Sequence, residues 1–489
     1  MSFTARTAAK APPLLSVVAL CSGGLVAALT QTMVIPIQSA LPAYLSTSPG
    51  NAAWVVTITL LAAAVSMVVT GRLADMFGKQ RVLVISAAIL TVGSAVCALS
   101  DTLVPMLAGR ALQGLAMGFI PVGISLLREI TPPAMQSTSV AAMSATLGVG
   151  GAIGLPLSAW IADVADWHVL FWVSTAVAVV VLVLMMLAVP HVEDAAGGRF
   201  DYGGALGLAV GLVAFLVGVS KATTWGWGDA RTISAIAGGL VVLVVWGVYE
   251  LRVPHSLVDL RATAKLPVLM TNLAAVAIGF GMMAQSIVVP QLLQLPSETG
   301  YGLGQSILHA GLWMAPAGLM MLVFAPVSSS LMTKYGAKIA LIIGAVVLAA
   351  GYALGTFLTD APWQLLVVSL VASSGVGIGY AAMPTLILDA TPRHEAGAAV
   401  GLNALSRSTG TTLAAAIMGT VLTSSTTAFG PVQVPSESAF TLCFVIGAGA
   451  ALLGALLAGL VPTVRPGSTP EEPRSRVGEE HLEPTHVAR

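Results

Sequence analysis

Long runs of hydrophobic residues, separated by short polar breaks, follow one another along most of this chain. Fourteen such runs occur between Pro13 and Pro462, centred near residues 25, 60, 90, 116, 150, 178, 211, 240, 278, 318, 347, 374, 410 and 449. A helix needs roughly 20 apolar residues to cross the hydrocarbon core of a bilayer. The runs are too long and too continuous for barrel strands, which alternate over about 10 residues. The pattern therefore predicts an all-α, polytopic membrane protein with fourteen transmembrane helices.

The composition agrees with this pattern. Hydrophobic residues fill 56% of the 489 positions, charged residues fill 9%, and the mean hydropathy is +0.92. A soluble domain with this composition could not cover its apolar surface with polar groups, so we expect the lipid bilayer as its solvent. Cys21, Cys97 and Cys443 all fall inside predicted spans, which favours packing over a disulfide framework.

The positions of the basic residues predict the orientation. With fourteen helices and a cytoplasmic N-terminus, 17 of the 21 Lys and Arg residues fall on the cytoplasmic side and 2 on the outer side. Positive charge normally collects on the cytoplasmic side of a membrane protein. We therefore expect a multi-pass protein of the cell (inner or plasma) membrane with both termini in the cytoplasm. The two remaining residues, Arg110 and Arg407, lie inside predicted spans.

Three segments of the chain have weaker copies later in the sequence. The pairs are 33–42 with 287–296, 71–81 with 329–339 and 126–133 with 386–393, at offsets of 254, 258 and 260 residues. Internal repeats of this kind are typical of transporters. The predicted organisation is a cytoplasmic N-terminus (1–12), an N-terminal six-helix bundle (13–190), two inserted helices with flanking loops (191–264), a C-terminal six-helix bundle (265–463) and a disordered cytoplasmic tail (464–489).

One segment, GRLADMFGKQR at 71–81, carries four charges in eleven positions. Gly71 and Gly78 allow a close helix approach and a tight turn. Asp75 lies where a carboxylate could accept hydrogen bonds from a neighbouring helix end and from basic partners. Arg72, Lys79 and Arg81 could act only as signals that fix the membrane topology, but such a signal does not need Asp75.

At these residues the sequence resembles the major facilitator superfamily. The segment fits that family's loop pattern G-x-L-a-D-x-x-G-k-x-R, and RALQGLAMG at 110–118 resembles its R-x-x-q-G motif. The layout, over residues 13–463, is similar to the fourteen-helix drug:proton antiporter branch of bacterial multidrug and antibiotic exporters. The resemblance implies efflux of a drug, antibiotic or similar molecule by proton-coupled alternating access. It also implies that Gly71, Asp75, Gly78, Lys79 and Arg81 form a conformational latch that holds the two halves in the outward-open state.

Proton coupling requires a group whose charge responds to opening and closing. The candidates are Asp75, Arg110, Asp163, His168, His309 and Arg407. An unpaired Arg110 inside the fourth helix would cost at least roughly 2.5 to 3.5 kcal/mol, although snorkelling towards the outer surface would lower that cost. His309 could instead cap or pack its helix. The branch usually has an acid where this chain has Thr30, and no Asp or Glu lies deep in a predicted span, so the coupling residue stays open.

Two further sets of residues concern packing and substrate. In the fifth helix, Gly150, Gly154 and Pro156 fit an antiporter motif only in part, and a packing face of small residues explains them equally well. The candidates for the substrate cavity are Thr30, Gln31, Gln38, Gln113, Asn272, Met282, Gln285, Gln291 and Met314. These neutral and soft groups favour an amphipathic, weakly charged organic molecule over a sugar, an inorganic ion or a strongly cationic dye.

No arrangement typical of an enzyme or a metal site stands out, because the glycine-rich segments lie inside predicted helices and the histidines are scattered. We expect no cofactor, no metal and no nucleic-acid partner. The expected partners are a small organic substrate, protons and the bilayer, with the chain acting as a monomer. Three alternatives stay open: a proton-independent facilitator, a nutrient symporter of the same fold, and a non-transporting membrane partner or sensor.

Overall fold

The protein is a bundle of long helices in a computed structural model that describes residues 13–35, 37–38, 40–191, 197, 199–430 and 432–462. The predictions for 1–12 and 464–489 lie outside these residues. The long helices of the described chain, labelled α1 to α14 in order, are Pro13–Thr32, Trp54–Phe77, Lys79–Ala98, Leu103–Ile130, Pro133–Val164, His168–Ala188, Tyr202–Trp225, Ala230–Glu250, Leu266–Gln294, Ile307–Tyr335, Ala337–Gly355, Pro362–Ala390, Ala396–Ser424 and Glu437–Gly459. Short helices at Leu41–Tyr44, Pro49–Ala52 and Leu260–Thr263 occupy the connections.

Most of these helices have the length and composition of membrane spans. Thirteen of the described helices are long and apolar enough to cross a bilayer. The other long helix, α13, has 29 residues but is more polar, because it carries Asn403, Arg407 and many Ser and Thr residues. The predicted all-α, polytopic membrane fold is thus confirmed.

A small β-hairpin between α13 and α14 is the only sheet in the described residues. Its strands, Thr426–Phe429 and Val432–Pro435, pair antiparallel with Thr426 opposite Pro435. The turn between them includes Gly430 at φ 59°, a conformation that favours glycine. This hairpin was not predicted, because four-residue strands carry too little periodic signal in the sequence.

Two helices are interrupted midway. In α4 a 3₁₀ turn at Ala116–Gly118 separates two α-helical segments, and in α12 the first segment ends at Tyr380 and the second begins at Ala382. The hydroxyl of Ser66 on α2 donates to the carbonyl of Leu115, so the break in α4 is supported by a neighbouring helix. Such interruptions produce kinks at defined places. They occur in the fourth helix of each predicted six-helix bundle.

The predicted halves meet along two seams, α2 with α13 and α5 with α10. Small residues bring the backbones together at both. A β-carbon on Gly401 would lie 2.1 Å from the carbonyl oxygen of Met67, and one on Gly318 would lie 2.6 Å from Ala152 Cβ. Helices in membranes pack closely through such positions.

The helices α7 and α8 form a closely packed pair beside the first seam. A β-carbon on Gly239 of α8 would lie 2.5 Å from the backbone nitrogen of Phe215 on α7. Leu212 of α7 belongs to one buried cluster with Leu61 of α2 and Leu405 of α13. The pair therefore covers the line along which α2 and α13 meet, and the exposed valines of α8 face the surroundings as lipid-facing residues do.

Candidate functional site

The site begins at the turn between α2 and α3. Gly78 joins the two helices with φ 96°, and Gly336 joins α10 to α11 in the same way with φ 86°. A residue with a β-carbon is strained in this conformation, so both turns require glycine. The turn in each predicted half thus has the same form, as the sequence repeat predicted.

Asp75 lies in the last turn of α2 and is 2% exposed. Its Oδ1 accepts a hydrogen bond from the backbone N–H of Gly397 at 2.9 Å, and its Oδ2 accepts one from Ala398 at 2.9 Å. Both donors belong to the first turn of α13, whose own N-cap residue, Glu395, makes no side-chain cap. The first N–H groups of a helix lack partners within it, and the positive end of its dipole favours an anion. Asp75 therefore caps α13 from across the α2–α13 seam.

Glycines make this approach possible. A β-carbon on Gly71 would lie 2.3 Å from the carbonyl oxygen of Gly397, and one on Gly397 would lie 2.7 Å from Asp75 Oδ1. No larger residue fits at either position without separating the helices. Gly71, a sequence candidate, thus lies at the contact together with Asp75.

Lys79 extends the site within the first predicted half. Its Nζ forms an ion pair with Glu129 at the end of α4 and lies 3.9 Å from Asp75 Oδ1. Lys79 is 7% exposed, so this pair is largely shielded from solvent. Arg81, by contrast, is exposed and makes no ion pair among the described residues.

A second ion pair, between Arg128 and Asp389, lies at the same end of the bundle. Arg128 Nη2 lies 2.5 Å from Asp389 Oδ1, linking the end of α4 to the end of α12. The two side chains are 32% and 44% exposed, so water weakens the attraction between them. This pair was not among the predicted site residues, although the repeat of 126–133 and 386–393 aligns Asp389 with Glu129.

Arg110 is buried inside the first six helices rather than snorkelling outward. It is 1% exposed and donates to the carbonyl oxygens of Thr30 at 2.9 Å and Val55 at 3.2 Å, and to Gln113 Oε1 at 2.7 Å. Gln113 in turn donates to Ser94 Oγ at 2.9 Å. The carbonyl of Thr30 belongs to the last turn of α1, where the helix dipole favours a cation. The guanidinium is thus held by carbonyl oxygens, and the Thr30 hydroxyl bonds within its own helix to Ala27.

Arg407 occupies a separate place between α9, α12 and α13. Its Nη1 donates to Asn403 Oδ1 at 2.5 Å, and Asn403 Nδ2 donates to Asn272 Oδ1 at 3.0 Å. The guanidinium lies over the ring of Tyr380, 4.5 Å from the ring centroid. Asn272, proposed from the sequence for the substrate cavity, is therefore a neighbour of the arginine network.

The remaining coupling candidates lie near loops. His168 begins α6, and its Nδ1 lies 2.5 Å from Asp166 Oδ1. The backbone N–H and the side chain of His168 hold the pKa of Asp166 below its usual range. Ser306 caps the start of α10 by accepting a hydrogen bond from the backbone N–H of His309 at 3.2 Å, and His309 Nδ1 lies 2.7 Å from Ser306 Oγ. Asp163 lies on α5, but its side chain is outside the described structure.

The motif in α5 packs on α1. A β-carbon on Gly150 would lie 2.4 Å from Ala28 Cβ, and one on Gly154 would lie 2.1 Å from Thr32 Oγ1. Pro156 follows inside the helix. These glycines serve a close helix contact within the first predicted half, which is the packing role that the sequence left open.

The substrate candidates do not gather in one hydrogen-bonded group. Gln113 bonds to Arg110, Asn272 to Asn403, and Gln285 Nε2 to Ser373 Oγ at 3.3 Å. The exposed candidates are Gln38 and Gln291, and the half-buried ones are Gln31, Met282 and Met314. No group of three His, Cys, Asp or Glu side chains able to hold a metal occurs in the described parts of the chain.

The helical layout, the repeated glycine turns and the Asp75 contact can be compared with known proteins. Residues 20–292 and 271–487 both match the family model of the Major Facilitator Superfamily. The chain belongs to this superfamily. Members are transporters and not enzymes, so the sequence-based assignment to a transporter family is confirmed.

Relatives within the superfamily include named exporters. An uncharacterized MFS-type transporter of Mycobacterium tuberculosis is 31% identical over 396 residues, which are 79% of this chain and 56% of the relative. The chain thus spans little more than half the length of that protein. The tetracenomycin C resistance and export protein of Streptomyces glaucescens is 26% identical over 429 residues, which are 87% of this chain and 78% of the relative. A multidrug resistance protein B homolog of M. tuberculosis is 26% identical over 80% of this chain and 73% of its own. The resemblance to the drug-exporter branch is confirmed by these relatives.

Solved structures share the superfamily fold. A human organic anion transporter superimposes with a TM-score of 0.62 at 15% identity, covering 91% of this chain and 99% of its own. A proton:xylose symporter bound to 6-bromo-6-deoxy-D-glucose superimposes with a TM-score of 0.62 at 16% identity, covering 92% of this chain and 96% of its own. At this level of identity the likeness establishes the fold alone.

Proposed function

We propose that this transporter exports a drug, antibiotic or similar amphipathic organic molecule by proton-coupled alternating access. The observation that carries the proposal is the cap that Asp75 of α2 provides for α13. It joins two helices from different predicted halves at one end of the bundle. A contact of this kind biases a two-state equilibrium, which alternating access requires.

The closed end is proposed to face the cytoplasm. Arg72, Lys79, Arg128, Lys334 and Lys338 all lie at the ends of helices that meet here, and positive charge favours the cytoplasmic side. Asp75 would then hold the outward-open state of a plasma-membrane protein whose termini are both cytoplasmic. This orientation follows from charge and helix parity.

Protonation of Asp75 would weaken the cap. A neutral carboxyl group loses its favourable interaction with the helix dipole and accepts weaker hydrogen bonds from the two N–H groups. Separation of α2 from α13 would therefore be linked to proton binding. Lys79 and Glu129 would tune this step because they lie beside Asp75.

The cargo is proposed from the relatives and from the side chains. Relatives are named for multidrug resistance and for tetracenomycin C export. Gln31, Met282 and Met314 are half-buried and offer neutral polar and soft apolar contacts. Substrate identity can be tested by a susceptibility panel with tetracenomycin C, doxycycline and norfloxacin in cells with and without the gene. Reduced susceptibility to at least one compound, lost with Asp75→Asn, is expected, and unchanged susceptibility throughout would contradict drug export.

A second candidate function is a proton-independent facilitator. The observation that favours it is Arg110, whose described partners are carbonyl oxygens and Gln113 with no carboxylate within 4 Å. The two functions differ in proton movement. Addition of substrate to reconstituted vesicles should move protons, read with a pH-sensitive dye, if transport is antiport. A facilitator would move substrate and leave the dye signal unchanged.

A further inference from the structure

The network of Arg407, Asn403 and Asn272 has more hydrogen-bond donors than acceptors. Each of its two side-chain carbonyl oxygens already accepts one bond: Asn403 Oδ1 from Arg407 and Asn272 Oδ1 from Asn403. Arg407 Nε and Asn272 Nδ2 are buried and have no partner. The residues themselves are 4% and 7% exposed, so both free donors are shielded from water.

The positive charge of the Arg407 guanidinium is not neutralised by a described neighbour either. No carboxylate lies within 4 Å of Arg407 in the described structure, and its aromatic neighbour Tyr380 covers one face of the guanidinium. A buried donor without a partner costs about 1 to 3 kcal/mol, and more when it is charged. A cluster with two free donors and one net positive charge is therefore built for an acceptor that carries negative charge.

The surrounding helices hold this cluster in place. A β-carbon on Gly279 of α9 would lie 2.3 Å from the carbonyl oxygen of Arg407, so α9 and α13 are in backbone contact here. Tyr380 is the last residue of the first segment of α12, directly before the break at Ala381. Movement of α12 at this break would uncover the guanidinium without disturbing the α9–α13 contact.

We propose that Arg407 and Asn272 bind an anionic oxygen group, such as a carboxylate, of the transported organic molecule. The inference rests on the proposed transport function and narrows its substrate class to organic acids. Arg407 supplies the charge, Asn272 supplies a neutral donor, and Asn403 positions the two relative to each other.

The test measures the unfolding temperature of the full-length protein in detergent with three additions. These are sodium benzoate, sodium chloride at the same ionic strength, and benzamide with that sodium chloride. Benzoate should raise the unfolding temperature at least about 2 °C more than benzamide or chloride, because only benzoate combines a carboxylate with an apolar ring. No shift with benzoate, or equal shifts with benzoate and benzamide, would overturn the proposal. A chloride shift equal to that of benzoate would also overturn it, in favour of a site for inorganic anions.

Variants locate the effect. Arg407→Gln should abolish the preference for benzoate, and Arg407→Lys should keep part of it. Asn272→Asp places a carboxylate inside the cluster, so it should raise the unfolding temperature above that of Asn272→Leu and remove the response to benzoate. This second variant keeps the test decisive if Arg407→Gln does not fold.

The matched control is Arg231→Gln, which changes an exposed arginine paired with Asp229 and should leave the benzoate preference intact. A preference that persists in both Arg407→Gln and Asn272→Asp would contradict the assignment. The measurement needs neither a gradient nor transport. Its failure is therefore distinguishable from a failure of the export proposal, which the susceptibility panel tests.

Discussion

Replacement of Asp75 by Asn is the most informative perturbation of the α2–α13 contact. The carboxylate accepts two backbone N–H bonds, each 2.9 Å long, from Gly397 and Ala398. Asn has the same shape but only one oxygen, so one of these N–H groups would face an NH₂ donor. The change also removes the negative charge at the N-terminus of α13.

The magnitude follows from these two losses. A hydrogen bond to a charged group contributes about 1.5 to 3 kcal/mol. A charge at a helix N-terminus contributes roughly 0.3 to 1 kcal/mol more. The sum, about 2 to 4 kcal/mol, should shift the equilibrium between closed and separated inner ends by roughly 30- to 700-fold.

The assay is the distance between spin labels on Phe77 and Tyr335. These residues end α2 and α10, precede the equivalent glycine turns, and are 52% and 65% exposed. The native Cys97 and Cys443 are buried, and Cys21→Ser removes the partly exposed third thiol. The wild-type protein should show mainly the short distance, and Asp75→Asn should populate a longer one.

The control is Asp389→Asn, which breaks the bridge to Arg128. Since that pair is 32% and 44% exposed, its contribution is about 1 kcal/mol or less, a shift of at most roughly fivefold. If Asp75→Asn left the distance distribution as in the wild type, or if Asp389→Asn shifted it more than Asp75→Asn did, the cap would not be the contact that closes this end.

Three further predictions concern packing and the buried arginine. Gly397→Ala should reduce export roughly tenfold, because the added β-carbon would lie 2.6 Å from the carbonyl oxygen of Gly71. The control is Gly449→Ala, which should transport normally because its added β-carbon meets open space. Arg110→Gln should lower the free energy of unfolding by about 2 to 4 kcal/mol in denaturant titrations, because two carbonyl oxygens lose their donor; an unchanged transition midpoint would refute this role. Thr30→Asp should unfold at a higher temperature than Thr30→Asn, since Arg110 Nη2 lacks a partner and a carboxylate gives the buried guanidinium a charged acceptor where Asn offers only a neutral one. The reverse order would argue against this.

Hydropathy predicted the helices well because each apolar run is about as long as a bilayer is thick. The more polar helix α13 was still counted among the apolar runs, near residue 410, and the distribution of the basic residues supported that count. The hairpin at Thr426–Phe429 and Val432–Pro435 was missed because its strands are short.

The site was predictable only in part. Asp75 and Gly71 were found from the loop motif, but their partner is the backbone of Gly397, 322 residues away from Asp75, and a backbone N–H leaves no signature in a sequence. The backbone partners of Arg110 posed the same difficulty, because the carbonyl oxygens of Thr30 and Val55 leave no signature in a sequence either. Helix periodicity also could not tell that Gln38 and Gln291 are exposed while Gln113 and Gln285 are buried.

Uptake into everted membrane vesicles tests the central claim, proton-coupled export controlled by Asp75, most directly. The probe is the compound to which the gene gives the largest change in susceptibility, and the vesicle lumen is acidified. We predict accumulation that a protonophore abolishes and that Asp75→Asn reduces strongly with normal protein levels in the membrane. Accumulation that is equal with and without the gradient, or undiminished in Asp75→Asn, would contradict it.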